Sequence, residues 1–300
     1  MPDSKRFLHP EAIKRISRLD LRAAHIVEGF LSGMHRSPYF GKSIEFLQHR
    51  EYVAGDDLRH VDWKVWARND RLYVKQFEEE TNLRSYLLVD VSHSMEYGEG
   101  VFSKNEYAAT IAVSLAYLIL KQQDAVGCLT FDDSIRGQVP LSSRREQMHA
   151  VINALTVDRP NNKTDLLGIF QKAAERFSQR GMMIVISDLL SDVEQTMRGL
   201  KIMRQRGHDI LLFHVMDDDE LNFPFTGPTR FEGLESEDRL NCNPQALRDG
   251  YMEAVEEFLE DVRRQTAAIG VDYLLCPTSQ PMDAMLAHFL SRRISRLRGG

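Results

Sequence analysis

The chain has 300 residues, of which 43% are hydrophobic and 27% charged, and its formal net charge is −6 at pH 7. This length allows one large or two modest globular domains, and the negative charge argues against a general nucleic-acid binder. Cys128, Cys242 and Cys276 are far apart and lack Cys-x-x-Cys spacing. We therefore expect free thiols in a reducing compartment rather than a disulfide scaffold or a zinc site.

The sequence predicts neither an export signal nor a membrane span. Its first residues are not followed by the apolar stretch of a signal peptide. The longest apolar segment, residues 107–120, has charged residues on both sides and is too short to cross a bilayer. We interpret it as a core helix and expect a cytoplasmic protein.

The predicted elements begin with a helix at about residues 19–31, which leads into a segment dense in charged and aromatic residues. From residue 84 onward, predicted strands and helices alternate. Short apolar runs predict strands at residues 86–89, 125–131, 135–139, 182–186, 210–215 and 271–275. Helical periodicity predicts helices at residues 103–122, 142–155, 165–179, 193–206, 244–269 and 282–293.

This alternation predicts an α/β fold with a doubly wound, mostly parallel sheet, formed by residues 84–216 and 244–300. Residues 1–83 are expected to form a small N-terminal α/β-rich extension, made of the first helix and a charged docking segment. Residues 217–243 predict a β-hairpin insertion that packs with this N-terminal segment. Because doubly wound sheets bind ligands at the carboxyl ends of their strands, Asp90 and Asp188 are the first candidate site residues.

One carboxylate and two hydroxyls follow the first strand of the sheet in the run Asp90-Val-Ser92-His-Ser94. Oxygen donors at this spacing suit a hard cation such as Mg²⁺, although short polar residues are also ordinary turn residues. Thr164 precedes a predicted helix and Asp188 ends a later strand, and each alone is explained as a helix cap. Three such elements on one side of one sheet favour a shared cation site.

The pattern Asp90-x-Ser92-x-Ser94, Thr164 and Asp188 resembles the metal-ion-dependent adhesion site of von Willebrand factor type A domains. The resemblance implies that the two serines and the threonine approach a Mg²⁺ or Mn²⁺ ion, and that the two aspartates act mostly through water. It also implies that an acidic residue of a protein partner completes the coordination. All five positions have the required residue type.

The segment upstream of the sheet resembles the bacterial family called domain of unknown function fifty-eight. The resemblance rests on Gly-Lys-Ser-Ile-Glu-Phe from residue 41, the charged run of residues 49–63, Ala67-Arg68 and residues 73–80. In that family a type A domain follows such a block. The resemblance implies an adaptor or co-chaperone that works with a AAA+ ATPase of the MoxR type. Many relatives begin with membrane-spanning helices, which this sequence does not show.

Two charged segments allow alternative interpretations. Residues 49–68 include the residue types of a hydrolytic site, but they lack His-x-x-x-His spacing and an accompanying nucleophile. We therefore favour ion pairs that dock the N-terminal region onto the type A domain. We interpret the acidic run of residues 217–220 as a solvated exit from a strand rather than as a second cation site.

Three functional hypotheses follow. The leading one is a non-enzymatic adaptor that binds an acidic residue of a partner through the metal ion. The alternative is a metal-dependent hydrolase that uses the same ion as a Lewis acid, with His93 as the nearby base. The third is an interaction protein whose site holds no ion.

Overall fold

The structure is a computed structural model that describes residues 14, 16–34, 49–51, 73–75, 83–98, 100–156, 166–177, 179–234 and 239–298. The chain divides into two compact units: Gly33–Asn82, and Met1–Ser32 together with Leu83–Gly300. Residues 19–32, most of the first helix, therefore belong to the same unit as the sheet.

The strands are β1 (His49–Glu51), β2 (Tyr73–Lys75), β3 (Arg84–Asp90), β4 (Ala125–Phe131), β5 (Ile135–Ser142), β6 (Met182–Ser187), β7 (Asp209–Met216), β8 (Thr229–Glu232), β9 (Arg239–Cys242) and β10 (Asp272–Pro277). The helices are α1 (Leu19–Met34), α2 (Lys104–Lys121), α3 (Gln147–Leu155), α4 (Leu166–Arg176), α5 (Val193–Gln205), α6 (Asp218–Asn222), α7 (Pro244–Ala268) and α8 (Asp283–Arg298).

Six strands form one sheet in the order β10-β7-β6-β3-β4-β5. All neighbours pair in parallel except β4 and β5, which are antiparallel. The predicted α/β, doubly wound, mostly parallel fold is thus confirmed. The chain leaves β3 towards β4 and returns to pair β6 on its other side, so the order reverses between β3 and β6. Such a switch point is where doubly wound sheets bind ligands.

The sheet is buried on both faces, which explains the uninterrupted apolar runs of its central strands. On one face, Tyr86 and Leu88 of β3 join a core cluster with Phe170 of α4, Met197 of α5 and Val262 of α7. Helix α2 covers the other face and contacts β3, β4, β6 and β7. It is buried almost all round, as its lack of a polar stripe predicts.

Two short antiparallel pairs lie outside this sheet. β8 pairs with β9, with Thr229 opposite Cys242, inside the segment predicted as a hairpin insertion. β1 pairs with β2, with His49 opposite Lys75. Most of the charged block of residues 49–68 lies outside the described residues, so its docking role and its packing against the hairpin stay predictions.

The acidic run at residues 217–220 is not a solvated exit, and that prediction was wrong. Asp217 is 3% exposed and caps α6, while the side chain of Glu220 returns to the backbone N–H of Asp217. This reciprocal arrangement is a capping box. The Asp217 carboxylate also accepts a hydrogen bond from Thr278 Oγ1 at 2.8 Å, which ties α6 to the turn after β10. Among the described residues, no helix is long and apolar enough to cross a membrane.

Candidate metal centre

Asp90 is the last residue of β3 and lies at the switch point of the sheet. Its side chain is buried, at 2% exposure. Oδ1 accepts a hydrogen bond from the Ser92 N–H at 2.9 Å, and Oδ2 accepts one from Ser187 Oγ at 2.6 Å. The first bond closes a turn of the Asx type, and the second links the ends of β3 and β6. The carboxylate is therefore fixed in place by the two strands that flank the switch point.

Ser92 and Ser94 follow Asp90 in this turn, and both are buried. Their hydroxyl oxygens lie 3.0 Å apart. Ser92 is the N-cap of a single 3₁₀ turn, His93–Glu96, and Ser94 lies within it. The sequence prediction that these two hydroxyls face a common point agrees with this distance.

Asp188 follows β6 directly and is 2% exposed. Its Oδ1 accepts a hydrogen bond from the Leu190 N–H at 3.2 Å. Leu189 between them has a positive φ of 55°, a conformation that costs a non-glycine residue roughly 1 kcal/mol or more and is often found at functional sites. The Ser187 hydroxyl holds this turn as well, since it accepts a bond from the Leu189 N–H at 3.0 Å.

His214 of β7 fixes the backbone of Asp188 from behind. Its Nε2 lies 2.9 Å from the Asp188 carbonyl oxygen, and its Nδ1 lies 2.8 Å from the Tyr273 hydroxyl. A carbonyl oxygen can only accept, so Nε2 carries the proton and Nδ1 accepts from Tyr273. Burial lowers the pKa of His214 to about 4, which keeps the ring neutral in this role.

The fifth predicted position, Thr164, lies outside the described residues, as does Asp165 beside it. Its place in the site therefore stays a prediction. The structure brings together the other four positions: Asp90, Ser92 and Ser94 in one turn, and Asp188 across the switch point through the Ser187 bridge.

The charges of this cluster leave room for a cation. Burial and the negative charge of Asp188 together raise the pKa of Asp90 to about 7, against the opposing effect of hydrogen bonds from Ser187 and Ser92. Among the described residues, no positive side chain is one of the main influences on this pKa. Two buried carboxylates and two hydroxyls are hard oxygen donors of the kind that Mg²⁺ prefers. Among the described residues, no group of three or more His, Cys, Asp or Glu could hold a metal.

A buried lysine, which the sequence prediction did not include, adjoins this cluster. Lys104, the first residue of α2, is completely buried. Its Nζ lies 2.8 Å from Asp188 Oδ2 and 2.7 Å from Glu220 Oε1 of α6. Burial lowers the pKa of Lys104, but the two carboxylates outweigh this effect and raise it above its ordinary value. The residue is therefore charged, and Asp188 has a counter-ion that Asp90 lacks among the residues that the structure describes.

An apolar groove with a volume of about 730 Å³ begins at the same edge of the sheet. Ser94, Lys104 and Leu190 line its end beside the cluster, and α6, the β8–β9 hairpin and α7 supply the remainder. Aromatic side chains form its floor, where Phe223 stacks on Tyr251 with centroids 4.4 Å apart. Among the described residues, four of the five exposed large apolar side chains line this groove: Leu190, Leu234, Leu240 and Leu247.

Comparison with known proteins identifies related sequences. The chain matches the family described as "Protein of unknown function DUF58" over residues 48–260. It is similar to uncharacterized protein Rv1480 of Mycobacterium tuberculosis (strain ATCC 25618 / H37Rv) and to uncharacterized protein Mb1516 of Mycobacterium bovis. Each is 27% identical over 297 residues, which cover 97% of this chain and 92% of the relative.

Several solved structures align with the chain at low identity. An aerotolerance-related membrane protein from Bacteroides fragilis NCTC 9343 aligns with a TM-score of 0.50 and 16% identity, over 70% of this chain and 99% of that one. BatB from Bacteroides thetaiotaomicron aligns with a TM-score of 0.47 and 17% identity, over 73% and 100%. The SpRpn10 VWA domain aligns with a TM-score of 0.38 and 14% identity, over 68% and 93%. At 16% identity, the likeness to the Bacteroides fragilis protein concerns the fold alone.

Proposed function

The chain belongs to the DUF58 family of proteins of unknown function, and from this premise we propose that it is a metal-dependent protein-interaction adaptor. Asp90, Ser92, Ser94 and Asp188, with Thr164 as the predicted fifth donor, would hold a Mg²⁺ or Mn²⁺ ion. The bound ion would supply an open coordination position for an acidic side chain of a partner. A AAA+ ATPase of the MoxR type is the partner that the family resemblance suggests.

The observation that supports this proposal most strongly is the arrangement at the switch point. Two buried carboxylates lie there beside two hydroxyls that are 3.0 Å apart, and within the described part of the chain Asp90 has no positive partner. Structural carboxylates that are buried are normally paired with a cation or fully hydrogen-bonded. A divalent ion would satisfy both carboxylates and the two hydroxyls together, which explains why four polar side chains are buried at one edge.

The adjoining groove supports a protein as the ligand. Exposed large apolar side chains that gather in one place are typical of interaction surfaces, and four of them line this groove. Because Ser94 lines both the groove and the ion cluster, a partner whose carboxylate binds the ion would have its neighbouring residues beside apolar surface. We expect those neighbouring residues to be apolar.

The hydrolase alternative requires a base beside the ion. His93 Nδ1 lies 3.1 Å from Glu96 Oε2, and His214 is buried with both ring nitrogens engaged. His214 therefore has no ring nitrogen left to take a proton from a water on the ion, and Nδ1 of His93 already faces a carboxylate. For this reason we propose binding rather than hydrolysis.

Affinity capture tests the proposal. The full chain, tagged, would be incubated with a native lysate in Mg²⁺ or in chelator and compared with Asp90→Asn, which keeps the shape of the side chain. Glu194→Gln, on an exposed carboxylate of α5, is the matched control. We expect wild type and the control to retain a AAA+ ATPase only in Mg²⁺, and Asp90→Asn to retain none. Equal capture in chelator, or by Asp90→Asn, would contradict the proposal.

A further inference from the structure

Lys104 occupies an unusual position for a lysine. Its ammonium group is buried at the edge of the candidate metal centre, and its partners come from two different elements: Asp188 after β6 and Glu220 in α6. A buried charge is stable only when it is paired and hydrogen-bonded. Lys104 is thus a fixed positive charge that shares one carboxylate with the proposed ion.

The shared carboxylate places lysine and ion in competition. Any cation that draws on Asp188 would meet the charge of an ammonium group 2.8 Å from the same carboxylate. Repulsion between charges a few ångström apart is large where water is excluded. Lys104 should therefore weaken the binding of the ion, while it stabilises the protein in the absence of the ion.

Glu220 offers the ammonium group a second acceptor, and local structure holds it in place. One of its carboxylate oxygens accepts a hydrogen bond from the Asp217 N–H at 2.8 Å, as part of the capping box. Its backbone carbonyl accepts one from the Tyr251 hydroxyl at 2.9 Å. These two bonds direct the other carboxylate oxygen towards Lys104. Glu220 can thus remain paired with the ammonium group of Lys104 when Asp188 binds an ion.

We propose that Lys104 and Glu220 together set the affinity of the metal centre, with Lys104 lowering it and Glu220 raising it through its contact with Lys104. This inference rests on the proposed function, because it assumes that the centre binds a divalent ion. Both are positioning residues, since neither is proposed to coordinate the ion. Glu220 also lines the groove, so the same pair joins the metal centre to the apolar surface.

Calorimetric titration of the full chain with Mg²⁺ and with Mn²⁺ tests this inference. We expect Lys104→Met to tighten ion binding by at least about ten-fold, because a nearby like charge is removed. We expect Glu220→Gln to weaken it several-fold, because the lysine then depends on Asp188 alone. In the double variant Lys104→Met/Glu220→Gln, the Glu220 substitution should have little further effect on ion affinity, since Glu220 acts through the lysine.

Two controls separate this mechanism from a general change of charge. Lys121→Met removes a lysine from the exposed end of the same helix, and Asp218→Asn removes an acidic charge from α6 that contacts Ser279 instead of Lys104. Both should change ion affinity by less than about two-fold, as expected for solvent-screened charges. Thermal melting in chelator would show whether each variant folds. If Lys104→Met does not fold, Glu220→Gln alone decides the result.

The outcomes distinguish the two proposals. If wild type binds neither ion, the proposed function fails and this inference fails with it. If wild type binds an ion but Lys104→Met binds it no more tightly, or Glu220→Gln binds it no more weakly, only the inference is overturned. An effect of Glu220→Gln that persists undiminished in the double variant would show that Glu220 does not act through Lys104.

Discussion

Two neighbouring turns at the edge of the sheet have the same backbone chemistry and different surroundings. Asp90 ends β3, and Asp132 directly follows the adjacent parallel strand β4. Each carboxylate is buried and accepts a hydrogen bond at 2.9 Å from the N–H two residues later, Ser92 in one turn and Ser134 in the other. Both segments read Asp-x-Ser, and neither turn alone identifies a binding site.

The difference lies in the counter-ion. Arg136 Nε lies 2.7 Å and 2.6 Å from the two carboxylate oxygens of Asp132. Burial raises the pKa of both aspartates, but Arg136 opposes the rise at Asp132, while at Asp90 the nearest charge is a second carboxylate that adds to it. An Asp-x-Ser turn whose carboxylate is paired with an arginine therefore has a structural role. The same turn without such a partner carries negative charge that is not neutralised.

The largest effect on stability is expected at the paired turn. Asp132→Asn should lower the free energy of unfolding by about 1–3 kcal/mol, because Arg136 loses a buried charged partner but remains partly exposed. Mg²⁺ should stabilise this variant as much as it stabilises wild type. Denaturant unfolding with and without Mg²⁺ provides the measurement. Loss of the Mg²⁺ effect would mean that the two turns are not functionally distinct.

At the Asp90 turn, substitution should have the opposite effect and raise the free energy of unfolding. Asp90→Asn removes a buried charge that has no counter-ion among the described side chains. In chelator at pH 8, the free energy of unfolding of this variant should therefore exceed that of wild type by at least about 1 kcal/mol. The same denaturant experiment measures it. A clear loss of stability would indicate that the Asp90 charge is already compensated, and the contrast with Asp132 would no longer hold.

A related effect should appear in the pH dependence of stability in chelator. The pKa of Asp90 is raised from 3.8 to about 7, so within this window the folded state binds a proton that the unfolded state has released. Asp90 therefore contributes stability below pH 3.8 that is lost as the pH rises to about 7. The slope of unfolding free energy against pH should be more positive in Asp90→Asn than in wild type across this window. Identical slopes in the two proteins would contradict the raised pKa of Asp90 in the folded state.

Much of this architecture is readable in the sequence. The apolar runs that end at Asp90 and just before Asp188 identify buried parallel strands, and the alternation with helices predicts the doubly wound sheet. The rule that ligands bind at carboxyl ends of strands then selects these two aspartates. These apolar runs and alternations are local or periodic features of the sequence, so they can be recognised without knowledge of tertiary contacts.

The lysine pairing could not be predicted in the same way. Lys104 lies 84 residues from Asp188 and 116 from Glu220 along the chain, and nothing in the sequence marks which helix terminus meets which strand end. The capping box at Asp217 and Glu220 has an Asp-x-x-Glu pattern in the sequence. The concentration of charge in residues 217–220 obscures this pattern, because it is also typical of a solvated loop. Pairs of side chains that are far apart along the chain can be identified only once the fold is known.

The central claim is that Asp90 belongs to a divalent-cation site and Asp132 does not. Calorimetric titration of Mg²⁺ into wild type, Asp90→Asn and Asp132→Asn tests it most directly, because it requires no partner. The account predicts saturable binding to wild type and Asp132→Asn, and binding about 10- to 100-fold weaker to Asp90→Asn, as expected when a carboxylate that acts on the ion through water is removed. Absence of binding to wild type, or equal binding to Asp90→Asn, would contradict it.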